Sequence, residues 1–488
     1  MTIWHEDRLL IDGELGPAEG GRTYETINPA TEEVLGTSAD ATVGDARRSI
    51  DAAKRAFDTT EWSRDQAFRV QCLRQLHQAL LDNRDALSDI LVQEVGAPVS
   101  STSGPQLDGP VEIVRWYADL LEGYDFTEDL GDREAFGTQN HRWIEKEAAG
   151  VVSAIVAYNY PVQLALAKLA PALAAGCTVV LKGAPDTPWS ALALGRLIAD
   201  HTDIPAGVVN VLASSDVAVG EELTVHPDVD LVTFTGSTPV GRAIMAGASA
   251  TVKRVFLELG GKSAFVLLDD GDPALAALVC AFAATSHSGQ GCAITSRLVA
   301  PRAMYDDVVD QAAAMLTSIT YGDPTDPATM MGPLISGRQR EKVAGYVDRA
   351  IADGAKAVIG GKAPEHLPTG YFYEPTLLAN VDENSAVAQD ELFGPVLVVL
   401  PHDGDEDAIR VANNSIFGLS GSVLSADRER ALSVGRRIRA GTMSVNGGVY
   451  YGPDSPFGGY KQSGIGREMG VAGLDEFLER KTFAEPAG

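Results

Sequence analysis

Residues 151–182 read VVSAIVAYNYPVQLALAKLAPALAAGCTVVLK. Two short β-branched runs, 151–156 and 178–181, enclose an Ala- and Leu-rich segment, 162–174, with the composition of a helix. Runs this short and continuously apolar suit strands buried on both faces, and a helix between two of them is the crossover that parallel neighbours require. The alternation continues, with strand candidates at 208–212, 231–234 and 253–257 and helix candidates at 190–201, 216–226 and 238–248. Five such strands predict an α/β fold with a doubly wound, Rossmann-like parallel sheet, whose ligands sit at the carboxyl ends of the strands.

On the N-terminal side, 45–57 and 66–81 carry apolar residues at three and four spacing and read as amphipathic helices. Beyond Gly260 a second series begins, with helices expected at 273–284, 303–316, 338–353 and 428–438 and strands at 396–400 and 442–445, which predicts a second α/β unit. Segment 360–370, rich in Gly, Pro and Lys, reads as a loop, and the polar segment 124–142 as an irregular inserted arm.

The chain has 488 residues, enough for two to four domains. It carries 39 Lys plus Arg against 67 Asp plus Glu, a formal net charge of −28. Such a surface repels polyanions, so nucleic acid and anionic membranes are not expected partners. The four cysteines, Cys72, Cys177, Cys280 and Cys292, are too few and too irregularly spaced for a disulfide framework or a CxxC metal site. Free thiols and a cytoplasmic location are expected. His5, Glu6, Asp7 and Arg8 interrupt any secretory core, and Asn159 with Pro161 breaks the uncharged stretch 148–167, so neither a signal peptide nor a membrane span is read.

Several motifs fail when their full pattern is applied. Gly261-Lys262-Ser263 ends like a phosphate-binding loop, but Phe256 stands where the first glycine is required. Gly464-Ile465-Gly466 lacks the third glycine of a dinucleotide fingerprint, because Met469 occupies its place. The eight histidines are scattered and form no zinc pattern, so no metal is expected.

Others keep two readings open. Gly289-Gln290-Gly291 before Cys292 allows a ligand close to an accessible thiol, whereas an isolated cysteine is ordinarily a buried apolar residue. Glu258 ends an apolar strand where a general base would meet a ligand, or else caps or pairs with a neighbour. Asn159, in Tyr158-Asn159-Tyr160-Pro161, offers an amide donor beside a helix start, or is a turn residue. Phe234-Thr235-Gly236-Ser237-Thr238 suits a phosphate at a helix N-terminus and equally a plain capped turn.

Taken together, these landmarks resemble the NAD(P)-dependent aldehyde dehydrogenase superfamily of the hydrolytic, non-acylating type. The resemblance runs in order through Asn28-Pro29-Ala30-Thr31, Tyr158-Asn159-Tyr160-Pro161, Lys182, Phe234-Thr235-Gly236-Ser237, Glu258-Leu259-Gly260-Gly261-Lys262, Gly289-Gln290-Gly291-Cys292, Glu391-Leu392-Phe393-Gly394-Pro395 and residues 456–464. It implies two Rossmann-like domains, a cofactor domain (1–123 and 143–258) and a catalytic domain (259–460). A small β arm (124–142 and 461–488) would join copies into a homodimer or homotetramer.

Carried over by position, the resemblance makes Cys292 the nucleophile that forms a thiohemiacetal and then a thioester, Asn159 the oxyanion donor and Glu258 the base that activates water. Lys168 and Glu468 would assist proton movement. Ala157, Tyr158, Lys182, Pro185, Gly236, Ser237, Leu259, Gly260, Glu391 and Phe393 would meet NAD, with NADP as an alternative. Tyr160, Gln163, Leu164, Ala167, Gly291, Ala293, Tyr450, Tyr451 and Phe457 would line the aldehyde pocket. They carry no cation, which favours uncharged aldehydes over acidic ones.

Two departures stand out: Tyr158 replaces the usual Trp, and Pro185 replaces a Glu that commonly grips the adenosine ribose. Two rival readings are a cofactor-independent thiol hydrolase using Cys292 with His287 or Glu258, and a non-enzymatic relative. The latter would be expected to have lost Cys292 or Glu258.

Overall fold

The computed structural model describes residues 6–487. The reading of the extreme N-terminus as free of a signal falls partly on residues 1–5, outside the described residues.

Five strands, β1 (Val151–Ile155), β2 (Thr178–Lys182), β3 (Val209–Leu212), β4 (Leu231–Thr235) and β5 (Arg254–Glu258), alternate with α1 (Pro161–Ala175), α2 (Pro188–His201), α3 (Val217–Val225) and α4 (Thr238–Ala248). They pair in parallel in the order β3-β2-β1-β4-β5, so the winding reverses between β1 and β4. That reversal opens a crevice beyond the strand ends, where ligands of such sheets bind. All five residues of β2 and of β4 are buried, which explains why these strands read as unbroken apolar runs. Helix α1 starts with Pro161 in its first turn and buries nearly every residue, so it is a core helix covered on all sides.

The sheet is closed by short antiparallel strands that the sequence reading lacks, Leu9–Ile11 against β3 and Gly464–Ile465 against β5. Gly464 therefore lies opposite Glu258 in the sheet, and this part of 461–488 belongs with the first sheet instead of the arm.

The second sheet contains β6 (Ala264–Leu267), β7 (Arg297–Pro301), β8 (Lys356–Ile359), β9 (Thr376–Ala379), β10 (Val396–His402), β11 (Ser420–Leu424) and β12 (Thr442–Val445), in the order β8-β9-β10-β7-β6-β11-β12. Every pairing is parallel except β8 with β9. Along β6, Ala264 and Val266 enter one apolar cluster while Phe265 and Leu267 enter another, the period of two expected for a sheet covered on both faces.

The segment read as irregular is a regular hairpin, Thr127–Ala135 paired with Thr138–Ala148, and Leu478–Pro486 adds a third strand. The expected 142/143 boundary thus falls inside a strand. Trp143 stacks on Phe483 with ring centres 5.2 Å apart, while Phe136 at the hairpin turn is fully exposed. Among the described residues no helix is long and apolar enough to cross a membrane, and no group of three or more His, Cys, Asp or Glu is arranged for a metal ion.

Candidate active site

The carboxyl ends of β1, β4 and β5 open into a cavity of about 460 Å3. The turn after β1 supplies Ala157, Tyr158, Asn159 and Tyr160, that after β4 Gly236 and Ser237, and β5 with its exit Glu258, Leu259 and Gly260. The opposite wall comes from distant segments: Gly291, Cys292 and Ala293, then Glu391 and Phe393, and finally Tyr450, Tyr451, Phe457 and Glu468. Gln163 and Leu164 from the first turn of α1 also line it.

Ala167, expected in the aldehyde pocket, does not line it. It lies on α1 beyond Leu164, is 1% exposed and packs in the core of the first unit. Lys168, one residue further, points to Glu468 instead. Lys182 and Pro185 also lie outside the lining: the Lys182 Nζ donates to the Gly183 and Ser214 carbonyls, and Pro185 is exposed. The sequence reading misses Pro105, Thr235, Ile294, Gln339 and Lys342 as lining residues. Thr235 stands inside a quoted motif, but Gln339 and Lys342 sit on a helix far along the chain and carry no local signal.

Cys292 is reached through tight backbone packing. Gly289 has φ +73, and a Cβ there would lie 2.0 Å from the Gly394 carbonyl oxygen. At Gly261 a Cβ would lie 2.2 Å from the Cys292 carbonyl oxygen. Only glycine permits both approaches. Cys292 is half-buried, whereas Cys72, Cys177 and Cys280 are fully buried. Burial pushes its thiol upward, and Glu258, Glu391 and Glu468 push in the same direction.

Asn159 is 3% exposed, and its Nδ2 donates to the Gln290 carbonyl at 2.8 Å. An amide nitrogen carries two protons, so one remains for an oxygen in the cavity. Glu258 is 2% exposed, and neither carboxylate oxygen has a partner. Burial, reinforced by Glu468, holds its carboxyl well above the usual carboxylate range, against the opposing pull of Lys168. Lys168 Nζ and Glu468 Oε1 are 2.5 Å apart, and both side chains are buried.

At the other end, Glu391 accepts a hydrogen bond from the Gly261 N–H at 2.9 Å, and burial pushes its carboxyl up to about 7. The Phe393 ring meets Tyr158 edge to face at 5.9 Å. Ser237 stands at the N-cap of α4 without making a cap hydrogen bond, and the Thr235 hydroxyl is buried without a partner. Donors left free at a helix N-terminus, facing a crevice at a winding reversal, fit the diphosphate of a dinucleotide.

The model of the aldehyde dehydrogenase family matches residues 17–483. The chain is 40% identical to a 3-succinoylsemialdehyde-pyridine dehydrogenase of a Pseudomonas species, over 97% of each chain. Among solved structures it resembles a Mycobacterium tuberculosis aldehyde dehydrogenase complexed with NAD+, at 39% identity and TM-score 0.94, covering 99% of this chain and 98% of that one. It also resembles a Pseudomonas syringae aldehyde dehydrogenase variant complexed with NAD+ and octanal, at 36% identity and TM-score 0.92, covering 98% and 96%. With this extent of agreement and a thiol, an amide and a carboxyl gathered at one cavity, the chain belongs to the aldehyde dehydrogenase family and is an oxidoreductase acting on aldehydes.

Proposed function

We propose that the protein oxidises an uncharged aldehyde to its carboxylic acid with NAD, through covalent attachment to Cys292. The observation that carries this reading is the convergence of Cys292, Asn159 and Glu258, from three separate segments, on one cavity.

Cys292 first gives up its thiol proton to solvent; the thiolate then attacks the carbonyl carbon, and the C=O π pair moves onto oxygen. The free Asn159 amide proton and the Cys292 backbone N–H hold that oxyanion. A bound NAD+ would supply the hydride acceptor, and loss of hydride from the thiohemiacetal carbon would leave a thioester on Cys292. Water then adds to the thioester carbon while Glu258 takes its proton; the carbon–sulfur bond breaks, and the acid leaves with the Cys292 thiolate restored. Burial holds the Glu258 carboxyl well above its usual range, so any proton it carries must leave before it can act as base. The adjoining Lys168–Glu468 pair is the route we assign to it.

Ala157, Tyr158, Gly236, Leu259 and Gly260 would form the wall of the nicotinamide end, with Ser237 at the diphosphate and Glu391 beside Phe393 at the ribose. Lys182 and Pro185 would lie at the adenosine end. The two solved relatives with bound NAD+ support NAD over NADP. Tyr160, Leu164, Tyr450, Tyr451 and Phe457 give the aldehyde an apolar, aromatic wall. The first sheet would be the cofactor unit and the second the catalytic unit, in a cytoplasmic homodimer or homotetramer joined through the arm.

The test compares kcat/KM for octanal and succinic semialdehyde with NAD and with NADP. Octanal with NAD is expected to lead each alternative by about 10-fold or more, equivalent to ~1.4 kcal/mol. A lead for the acidic aldehyde overturns the substrate assignment, and a lead for NADP the cofactor assignment.

A further inference from the structure

Immediately before the catalytic loop, His287 and Ser288 are held at φ +46 and +57, followed by Gly289 at +73. Two consecutive non-glycine residues in the left-handed region are costly and persist only where surrounding contacts hold them. Those contacts are plain. Ser288 Oγ donates to the Gly332 carbonyl at 2.6 Å, and the Ile335 N–H donates to Gln290 Oε1 at 3.0 Å. The His287 carbonyl receives both the Gln290 N–H at 3.0 Å and the Gln290 Nε2 at 3.2 Å.

The His287 ring is 5% exposed and lies against the Tyr160 ring at 5.3 Å. It is turned toward the Asn159 main chain, whose carbonyl receives Gln106 Nε2 at 3.0 Å. Its Nε2 is buried without a partner. Burial lowers the imidazole to about 4, so the ring is neutral at physiological pH and holds one proton for one acceptor. The contacts close a circuit: the His287 ring packs on Tyr160 next to Asn159, the Asn159 side chain binds the Gln290 carbonyl, and the Gln290 N–H binds the His287 carbonyl.

We propose that His287 is a positioning residue that sets the Asn159 amide and the Cys292 backbone N–H at a fixed separation, so that both meet the same oxyanion. It touches neither substrate nor cofactor, since it does not line the cavity. This also disposes of His287 as the base of a thiol hydrolase: the ring is buried and lies outside the cavity that Cys292 lines. The proposal rests on Asn159 as the oxyanion donor, and its test separates the two ideas.

His287→Gly removes the ring without backbone strain at positive φ. His287→Asn keeps a side-chain donor and tolerates the left-handed region. His287→Gly is expected to lower kcat about 10- to 100-fold, the size of effect that a misplacement of about 1 Å produces. KM for NAD and the rate of Cys292 alkylation by iodoacetamide, which passes through no oxyanion, should stay within about 2-fold of wild type, a change of only ~0.4 kcal/mol. His287→Asn should recover most of kcat, and His287→Gly combined with Asn159→Ala should be no slower than Asn159→Ala alone.

If Asn159→Ala cripples turnover while His287→Gly leaves kcat at the wild-type value, the His287 proposal is overturned and the oxyanion assignment survives. The proposal is equally overturned if the effects of the two substitutions multiply, or if His287→Asn fails to recover activity. Wild-type turnover in Asn159→Ala removes the oxyanion assignment, and the role of His287 with it.

Discussion

Two glutamates are buried in different regions of this molecule, and their surroundings differ in a way that separates structure from chemistry. Glu94 is fully buried beneath the N-terminus of α2, where the Trp189 and Ser190 N–H groups donate to it at 2.9 and 2.7 Å and the Ser190 hydroxyl donates as well. Glu258 is equally buried at the end of β5, yet neither of its oxygens has a partner. Burial raises both carboxyls, Glu94 to about 7 and Glu258 well above its usual range. Glu94 uses its lone pairs to cap a helix. Glu258 keeps its lone pairs toward a cavity, an arrangement that is costly for stability and needed for a base.

The strongest challenge to this contrast is Glu258→Gln. Loss of a general base is expected to lower steady-state kcat about 10²- to 10⁴-fold. A first-turnover burst of reduced cofactor should persist, because thioester formation precedes the step that needs Glu258. Stopped-flow absorbance at the reduced nicotinamide band reads both, and loss of the burst would place Glu258 in the wrong step.

Next in size is Lys168→Met, which leaves Glu468 buried without its partner. Breaking such a pair from one side costs about 3–5 kcal/mol. Denaturant melts should show that loss, and the steady-state pH profile should move to higher pH, since Lys168 is the cation that opposes the rise of the Glu258 carboxyl. An unmoved profile would detach the pair from Glu258.

Glu94→Ala is expected to destabilise by about 1–3 kcal/mol, because buried helix N–H groups lose their acceptor. Its kcat should stay near wild type. A collapse of kcat in a variant that remains folded would erase the distinction between the two glutamates.

The smallest effect concerns stability against pH. Glu258 has a folded pKa above its unfolded value, so its contribution is fully present below the unfolded pKa and is lost as pH rises through the folded one. Glu258→Gln does not titrate. Its Tm should therefore gain on that of wild type as pH rises through the folded pKa of Glu258 and lose that advantage on acidification, as scanning calorimetry would show.

The first sheet is legible in the sequence because its strands are β-branched and buried on both faces: the run 231–234 coincides with Leu231–Thr235, and 178–181 with Thr178–Lys182. In the second unit, Ser420–Leu424 reads SGSVL and Arg297–Pro301 reads RLVAP, so polar, glycine and proline residues hide strands that are nonetheless buried. The hairpin Thr127–Ala148 is hidden for the opposite reason. Its first strand is largely exposed and polar on both faces, so no apolar alternation marks it.

At the site, Cys292, Glu258 and Asn159 are legible because each adjoins glycines or a strand end. Ala167 is misplaced by sequence reasoning because helix periodicity cannot tell a residue facing the cavity from one facing the core when α1 is buried all round. Gln339 and Lys342 reach the cavity only through tertiary folding.

Covalent catalysis through Cys292 is best tested by NAD reduction with an uncharged aldehyde, followed by absorbance, for wild type beside Cys292→Ala. The expected result is a steady rise for wild type and no rise for the variant, with matching thermal melts and NAD binding by calorimetry. Near-normal reduction by folded Cys292→Ala would contradict covalent catalysis through this thiol.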